Sequence, residues 1–333
     1  MNLVQRALSH GGRLAPIVIP EGASSGLMNP SIFIDDDGDI LVNLRHVNYT
    51  LYHSENTQRF PTIWGPLAYL HPETDLTLRT DNYLCRLNDD LEVINYTKVD
   101  TSTLDVAPLW EFHGEEDCRI VKWEGEYYLI GVRRDTTTNG QGRMEYSRIE
   151  LDKESWTAKE VSRLRIPAPG PDTSYCEKNW MPVLDKPYHF IKWTMPTELV
   201  KADINTPACE TVALKKTPPI SHDQRGGSQV IRWEDKYITF THEVDLFNNY
   251  LKQKDGIYRH RLMVWDTDFN FVGITPAFTF LDAMIEFCVG AAVYKDDLLL
   301  TFGFQDNAAF VLQLPKQAVT ELIQEAVEAY DGF

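Results

Sequence analysis

Polar and glycine residues stand immediately before five apolar, strand-like runs of the sequence. In chain order, the segments MNPS, GEEDCR, CEKNW, RGGS and IEFCVG contain Asn29, Asp117, Lys178, Arg225 and Glu286, respectively. Carboxyl groups can donate or accept protons, and cationic side chains can hold an anion. If the fold brings these five segments together, the resulting set of groups suits acid chemistry on a polar substrate with an anionic partner.

Each of these segments leads into a predicted β-hairpin. The five hairpins read SIFIDDDGDILVNLR from Ser31, RIVKWEGEYYLIGVR from Arg119, MPVLDKPYHFIKW from Met181, QVIRWEDKYITFTH from Gln229 and AAVYKDDLLLTFGF from Ala291. Their flanks are rich in Val, Ile, Tyr and Phe, and their predicted turns consist of residues that favour turns: Asp37-Gly38, Glu124-Gly125, Asp185-Lys186, Glu234-Asp235 and Asp296-Asp297. Recurrent multi-strand units without a linker predict one all-β domain over residues 1–333, a five-bladed β-propeller. A β-sandwich is the alternative, because hairpins alone do not fix the topology.

The C-terminal segment departs from the β pattern. In PKQAVTELIQEAVEAYDGF, the apolar residues recur at helical spacing with Glu and Gln on the opposite face. This pattern predicts an α-helix over about residues 315–330 that docks on the propeller.

In a propeller, the first strand of each blade lines the central channel, so the five polar segments are expected to meet at one mouth of that channel. The far ends of the same hairpins add Arg45, Arg133, Arg134, Lys192, His242 and Asp306. Arg133 and Arg134 alternate sides on a strand, so at most one of them can point into the channel. Aromatic residues are expected nearby, namely Trp110, Trp180, Tyr258 and Phe287. Polar groups beside aromatic faces suit a sugar.

Composition and charge restrict the class of protein. The chain has 333 residues, of which 43% are hydrophobic and 24% charged, and this balance is typical of a globular protein. Its 32 basic and 49 acidic residues give a net charge of −17, which disfavours nucleic acid and anionic membranes as partners. The five cysteines are scattered without a C-x-x-C pair, so neither disulfides nor a zinc site is expected. With no signal peptide or membrane-spanning run, we expect a cytoplasmic protein without a metal or cofactor.

The order of the motifs NPS, EDCR, KNW, RGGSQVIRWEDKYITFTHE, IEFCVG and TFGFQDNAAF resembles that of the mannoside phosphorylases, glycoside hydrolase family 130, and of related mannosyltransferases. The resemblance covers most of the chain. It implies a five-bladed propeller that cleaves β-mannosides with phosphate. It also implies that Asp117 is the general acid, that Asn29 and Arg45 hold the sugar at the cleavage subsite, that His242 lies on the phosphate side, and that Asp306 binds sugar hydroxyls.

Three positions depart from the family pattern. Cys118 replaces the Pro or Thr that usually follows the acid, and Phe302 stands where the family has a tyrosine. The segment TFTHEVD lacks the glycine that normally follows the histidine. These departures leave the acid in place and leave the identity of the substrate open.

The complete set of predicted contacts is larger than the family motifs alone. Predicted substrate contacts are Asn29, Ser31, Arg45, Arg119, Lys178, Asn179, Glu286 and Asp306, and predicted phosphate contacts are Arg133, Arg225 and His242. Structural alternatives remain for three of these residues: Asp117 as a partner of backbone amides, His242 as a core histidine, and Glu286 as the partner of a nearby arginine.

The cations help to choose among reaction types. Breaking a glycosidic bond requires one carboxyl group to protonate the leaving oxygen. If water is the nucleophile, a second carboxylate must activate it, whereas phosphate needs no base but does need cations to hold it. The cations favour an anionic partner, either phosphate or the diphosphate of a sugar nucleotide. Together with the resemblance, they predict an inverting β-glycoside phosphorylase that transfers a mannosyl-type unit between an oligosaccharide or glycoside and inorganic phosphate or a sugar phosphate. A glycosyltransferase with a nucleotide-sugar donor, an inverting hydrolase and a non-catalytic sugar-binding module are the alternatives.

Overall fold

The computed structural model describes residues 1–20, 26–50, 60–62, 65–69, 77–171, 173–219, 224–248 and 254–331. Most of the regular structure is β-strand, and most of the strands form antiparallel meanders. The chain begins with helix α1 (Leu3–Ser9) and the short strand β1 (Arg13–Pro16). Asn2 caps α1: its side chain accepts the backbone N–H of Gln5 (2.9 Å), and the Gln5 side chain accepts the backbone N–H of Asn2 (3.2 Å).

The first two meanders share one sheet. The strands of this region are β2 (Leu27–Ile34), β3 (Ile40–Val47), β4 (Tyr49–Thr50), β5 (Phe60–Thr62), β6 (Gly65–Tyr69), β7 (Leu78–Leu87), β8 (Val93–Asp100), β9 (Phe112–His113), β10 (Glu115–Trp123), β11 (Glu126–Arg133), β12 (Arg143–Asp152) and β13 (Thr157–Arg165). The first meander has the order β2-β3-β7-β8, and the second has the order β10-β11-β12-β13. A short parallel pairing of β8 with β13 joins them, β9 pairs with β7, and β4, β6 and β5 form a separate small sheet.

The next two meanders are separate four-stranded sheets. Their strands are β14 (Met181–Pro182), β15 (His189–Thr194), β16 (Thr197–Ala202), β17 (Cys209–Lys215), β18 (Ile231–Trp233), β19 (Lys236–Asn248), β20 (Lys254–Trp265) and β21 (Phe271–Ile274). Strands β14 to β17 follow one another in one sheet, and β18 to β21 do so in the other. The β19–β20 hairpin is the longest of the described hairpins, because its pairing continues from Tyr237–Trp265 to Asn248–Lys254.

The last meander combines distant parts of the sequence. It contains β22 (Glu286–Tyr294), β23 (Asp297–Phe304) and β24 (Ala308–Leu314), and β1 adds to its outer edge by antiparallel pairing with β24. Helix α2 (Lys316–Asp331) follows and packs on β20, β21 and β23. The predicted C-terminal helix is confirmed.

Apolar clusters join each meander to its neighbour. One cluster links the first meander to the second through Leu41 and Ile120, and others link the second to the third and the third to the fourth. The fourth packs against the last together with both helices, and the last packs against the first through Leu299 and Val42. Because the packing runs from the last meander back to the first, the fold is propeller-like.

Side chains in the middle of this ring tie the first strands together. Gln229, just before β18, donates its side-chain amide to the carbonyl oxygens of Ile32 (2.9 Å) and Ile120 (3.0 Å). Its side-chain oxygen accepts the backbone N–H of Ala291 (2.9 Å). One buried residue therefore bonds to three other meanders and helps to hold their first strands together.

An acidic turn at the end of β2 joins the first meander to the second. The Asp35 carboxylate is buried and accepts hydrogen bonds from Lys122 (2.7 Å), Lys153 and Tyr127. Burial by itself would raise the pKa of Asp35, but the hydrogen bonds from the two lysines and the tyrosine outweigh it and hold this pKa well below its usual value. A carboxyl group of this kind stabilises the fold above its unfolded-state pKa of about 4, and this contribution is lost as the pH falls.

We expect Asp35→Asn to lower the free energy of unfolding by about 2 kcal/mol at pH 7, because charged hydrogen bonds are lost. The loss should shrink as the pH falls below about 4, because the unfolded chain then takes up a proton at this position while folded Asp35, whose pKa is held well below its usual value, stays ionised. Urea denaturation at several pH values measures the effect. Asp36→Asn is the control, because that side chain is 86% exposed and contacts only Lys122 in the described residues. A loss independent of pH would contradict the assignment.

Candidate active site

A cavity of about 310 Å³ lies where the first strands of the meanders begin. It brings together eight of the predicted site residues: Asn29, Arg45, Asp117, Lys178, Asn179, Arg225, His242 and Asp306. Tyr258 and Phe287, two of the four expected aromatic residues, also line it, whereas Trp180 is buried in the core between the second and third meanders.

The other four predicted contacts, Ser31, Arg119, Arg133 and Glu286, are not among the residues that line this cavity. The hydroxyl of Ser31 accepts the backbone N–H of Ile120 (2.9 Å) and so joins β2 to β10. The Glu286 carboxylate accepts the backbone N–H groups of Phe280 (2.6 Å), Leu281 (2.7 Å) and Ala283 (3.0 Å). Its position at the start of β22 therefore serves the preceding loop, and the placement does not support a sugar contact.

Arg133 and Arg134 point in opposite directions, as strand alternation requires. Arg134 lines the cavity, whereas Arg133 lines a second cavity and bonds to the Glu145 carboxylate (2.8 Å). The buried Arg133 is therefore occupied by an acidic partner, and its placement does not support a phosphate contact. Lys192 lies within 3.7 Å of Glu177 and 3.5 Å of Glu198 and is likewise outside the lining.

Four polar residues of the cavity have left-handed backbone conformations. The φ angles are 46° at Asn29, 52° at Asp117, 60° at Asn179 and 51° at Asp306. Asn29 and Asp117 lie in irregularities of the strand pairing, where β2 and β10 each contain extra residues relative to their partners. Such bulges redirect side chains, and strained backbone is concentrated at functional sites.

Asp117 is the most firmly held acidic group of the cavity. Its Oδ1 atom accepts hydrogen bonds from the Asn29 amide (2.7 Å) and from Arg45 Nη1 (2.7 Å). Burial would raise the pKa of Asp117, but Arg45, Asn29 and the more distant cations Arg119 and Lys178 outweigh it and lower this pKa. Asp117 is therefore ionised at neutral pH in the ligand-free protein.

Arg45 has a fixed position and charge. It lies within 3.4 Å of Glu116 as well as bonding to Asp117, and its Nε and Nη2 atoms donate to the Thr80 hydroxyl (3.3 and 3.2 Å). Although burial disfavours the charged form, Asp117 and Glu116 raise the pKa of Arg45. Thr80 was missed at the sequence level, because it lies near the start of β7 within a pattern typical of an ordinary strand.

Arg119 fixes the backbone around the cavity from behind. Its Nε and Nη2 atoms donate to the Gly227 carbonyl (3.0 and 2.7 Å), and its Nη1 atom donates to the Asp117 carbonyl (2.6 Å) and to Asn179 Oδ1 (3.2 Å). Burial lowers the pKa of Arg119 to about 10, which still leaves it charged at neutral pH. The sequence predicted a substrate contact, whereas the structure gives Arg119 the contacts of a residue that positions Asp117 and Asn179.

Lys178 and Arg225 supply positive charge to the other part of the cavity. Both side chains are exposed and line it, and neither pairs with a carboxylate anywhere in the described residues. The backbone N–H and C=O of Arg225 bond to the backbone of His242 (2.7 and 3.0 Å), so these two residues lie side by side. Unpaired cations at a cavity wall suit an anionic ligand.

His242 is neutral. Burial, followed by the neighbouring His260 and the cations Arg225, Lys178 and Arg119, lowers the pKa of His242 well below its usual value. Its ring stacks on Tyr258 (5.6 Å between centroids) and meets the edge of Phe287 (4.6 Å). Its Nδ1 atom is buried and has no hydrogen-bond partner among the described residues. The sequence counted His242 among the cations, but this ring can offer an anion hydrogen bonding and no charge.

Other classes of site find little in the described residues. No group of three or more His, Cys, Asp or Glu side chains in that part of the chain is arranged to hold a metal ion. All five cysteines are free thiols. Neither helix in the described residues combines the length and the hydrophobicity that a membrane span requires.

No protein-family model matches the sequence, and a search of curated proteins finds no significant match. Solved structures do match. The GDP-Man-dependent mannosyltransferase MPT-1 of Leishmania mexicana is 13% identical over 91% of this chain and 89% of its own, with a TM-score of 0.55. The β-1,2-mannobiose phosphorylase of Listeria innocua, solved with β-1,2-mannobiose, is 13% identical over 92% of this chain and 95% of its own, with a TM-score of 0.53.

A third similar structure comes from work on glycoside hydrolases of the GH130 family of mannoside phosphorylases that target β-1,2-mannosidic linkages in Candida mannan. It is 13% identical over 87% of this chain and 84% of its own, with a TM-score of 0.54. At this identity, the comparisons establish a shared fold. The resemblance in motif order is therefore accompanied by a fold shared with solved structures from the same group of carbohydrate-active enzymes.

Proposed function

We propose that this protein is a carbohydrate-active enzyme that transfers a mannosyl-type unit to or from phosphate, with inversion and with Asp117 as the general acid. One observation carries the proposal: the same cavity combines a carboxylate fixed by Asn29 and Arg45 with two cations, Lys178 and Arg225, that pair with no carboxylate among the described residues. Five blades are part of the proposal. They are supported by five four-stranded meanders that apolar clusters join into a ring.

The proposed reaction uses the two parts of the cavity differently. Asp117 protonates the glycosidic oxygen while the bond from that oxygen to the anomeric carbon breaks. A phosphate oxygen, held by Lys178 and Arg225, forms the new bond to the anomeric carbon from the opposite face. Neutral His242 adds hydrogen bonding next to these cations. Asn29 and Asn179, whose backbones are fixed, are proposed to bind sugar hydroxyls.

Phosphate is favoured over water as the nucleophile. Water requires a second carboxylate to remove its proton. Of the two other acidic residues that line the cavity, Glu116 is already paired with Arg45, and burial raises the pKa of Asp306, which favours its protonated form over that of a base. A nucleotide-sugar transferase is the second candidate. The same two cations would suit a diphosphate, and the fold is shared with a GDP-Man-dependent mannosyltransferase.

The proposal is tested by supplying donors to the purified protein. α-Mannose 1-phosphate and GDP-mannose are each offered with a panel of sugar acceptors, and the release of phosphate or GDP is followed. We expect phosphate release from α-mannose 1-phosphate. Release of GDP alone would instead assign a nucleotide-sugar transferase. Hydrolysis of β-mannosides in phosphate-free buffer would assign a hydrolase, and inactivity in all three assays would leave a sugar-binding module.

We expect Lys178→Met and Arg225→Met each to raise the KM for phosphate by about 10- to 100-fold, because each removes a charge-assisted contact. The KM for the mannoside should change much less. Arg232→Met is a matched control, since this exposed arginine on β18 bonds to the Glu234 carbonyl and lies outside the cavity. A rise in the KM for the mannoside alone would assign these cations to the sugar instead.

A further inference from the structure

The cavity contains a second carboxyl group whose surroundings differ from those of Asp117. Asp306 lies in the turn between β23 and β24 and lines the same cavity. Asp117 accepts two hydrogen bonds from cationic and amide donors, whereas Asp306 accepts none from any residue that the structure describes. Hydrogen bonds therefore hold Asp117 in its ionised form, whereas no such bonds from the described residues hold Asp306.

The turn that carries Asp306 is fixed in place from both sides. Gln305 donates its backbone N–H to the Ile285 carbonyl (2.7 Å), and Asn307 Oδ1 accepts the backbone N–H of Gly26 (3.1 Å). The left-handed backbone of Asp306 thus belongs to a well-bonded turn at the edge of the cavity.

Asn29 lies between this segment and Asp117. A Cβ atom at Gly303, near the end of β23, would lie 2.3 Å from Asn29 Oδ1, so the strand approaches Asn29 as closely as only glycine permits. The Asn29 amide in turn donates to Asp117 (2.7 Å). A single side chain therefore connects the strand that leads to Asp306 with the proposed acid.

The charges around Asp306 come from few residues. Burial raises the pKa of Asp306 to about 6, Arg45 opposes this effect, and the Asp117 carboxylate adds to it. Tyr49 also interacts electrostatically with Asp306, but burial raises the pKa of this phenol above its ordinary value, and it remains neutral. The pKa values of two neighbouring carboxyl groups in one cavity are thus shifted in opposite directions. In such a pair, one group tends to hold the proton and the other the negative charge.

We infer that, in mildly acidic solution, Asp117 and Asp306 together hold one proton in the ligand-free cavity, that this proton rests on Asp306, and that it moves to Asp117 when the glycoside binds. The inference rests on the proposed function and supplies what that function lacks, since an ionised Asp117 cannot act as an acid. The O–H bond of Asp306 breaks, and an O–H bond forms on Asp117. Asp117 then gives the proton to the leaving oxygen. Hydrogen phosphate loses its own proton on becoming the sugar phosphate dianion, and that proton restores Asp306.

The first test needs no activity. Protein labelled with ¹³C at aspartate carboxyl groups is titrated by NMR without ligand. We expect one buried carboxyl group to titrate near pH 6 in the wild type and to disappear in Asp306→Asn. In Asp117→Asn, the same signal should titrate at lower pH, because a neighbouring negative charge is gone. Absence of a carboxyl group that titrates above pH 5, or its persistence in Asp306→Asn, would overturn the inference.

The second test separates proton supply from sugar binding. With an ordinary mannoside, Asp306→Asn should lower kcat by about 10²- to 10⁴-fold and remove the alkaline limb of the wild-type pH profile. With a dinitrophenyl mannoside, whose leaving group needs no proton, the loss should be about 10-fold or less. Equal losses with both substrates and an unchanged pH profile would mean that Asp306 only binds sugar.

Controls keep the two proposals distinguishable. Asp296→Asn, at the exposed turn at the opposite end of the same meander, should match the wild type in both tests. Thermal unfolding confirms that each variant is folded. If the wild type shows the carboxyl titration near pH 6 but no phosphate-dependent turnover, the proposed function fails while the shared proton stands. If the wild type shows phosphate-dependent turnover but no carboxyl titration near pH 6, the proposed function stands and the shared proton fails.

Discussion

Asp117→Asn is expected to lower kcat for mannosyl transfer by about 10²- to 10⁴-fold, the usual contribution of a positioned acid. The substitution keeps the size of the side chain and its acceptor oxygen for Asn29 and Arg45, but removes the group that can carry a proton. The measurement is phosphate release from α-mannose 1-phosphate with the best acceptor. A mannoside with a dinitrophenyl leaving group should recover most of the lost rate, because departure of that group needs no acid.

Glu116→Gln is the matched control for this variant. Glu116 is the preceding residue, lines the same cavity and lies within 3.4 Å of the same Arg45, yet it has no proposed part in proton transfer. A loss of at most about tenfold is expected from it. If Asp117→Asn retains activity within the same range, Asp117 is not the acid, and its contacts with Asn29 and Arg45 are structural.

Gly226→Ala is expected to cause the largest loss of stability among the variants considered, about 3 kcal/mol or more. A Cβ atom at this position would lie 1.7 Å from the Asn179 carbonyl oxygen, and backbone cannot move away as a flexible side chain can. Asn179 and Arg225 both line the cavity, so the displacement should also weaken substrate binding. Urea denaturation and the KM values for phosphate and mannoside measure the two effects.

Gly256→Ala provides the comparison for Gly226→Ala. Its Cβ atom would meet the Leu246 side chain at 3.2 Å, on an exposed hairpin where a methyl group can rotate away. A change within about 0.5 kcal/mol is expected. Similar stability of the two variants would show that the segment at Gly226 adapts. The expected difference explains the Gly226–Gly227 pair by the close approach of neighbouring backbone rather than by binding of a phosphate group.

Local patterns in the sequence predicted the repeating strands well. The turns at Asp37-Gly38, Glu124-Gly125 and Asp185-Lys186 fall between the first and second strands of their meanders, as predicted. The contribution of β1 to the last meander was not predicted. Its four residues pair with β24 through contacts about 300 positions away in the sequence, and no local periodicity records such a pairing.

The sequence predicted which strand starts carry the residues of the site, but not the contacts that those residues make. Asp117 and Asn29 meet because bulges in two different strands aim their side chains at one point, and a bulge changes register without a clear sequence signal. Glu286 stands at an equivalent strand start, yet its carboxylate accepts three backbone N–H groups. The position of a residue along a strand predicts where that residue lies in the fold. The partners of its side chain depend also on loops, which the hairpin pattern does not describe.

The pairing of β1 with β24 has a consequence for how the protein is made. Bringing together two segments about 300 residues apart costs on the order of 5 kcal/mol of chain entropy, so this pairing is favoured only after the intervening strands have packed. During synthesis, β1 leaves the ribosome about 300 residues before β24, so it cannot pair with β24 until that strand has also been made. Until then, the growing ring has two open edges, and β1 is an unpaired strand able to pair with other chains. Docking of α1 on the segment around Thr279 is delayed in the same way, because Leu3 donates its backbone N–H to the carbonyl of Thr279, which is synthesised late. The protein is therefore most exposed to aggregation through β1 in the interval between the synthesis of β1 and the synthesis of β24.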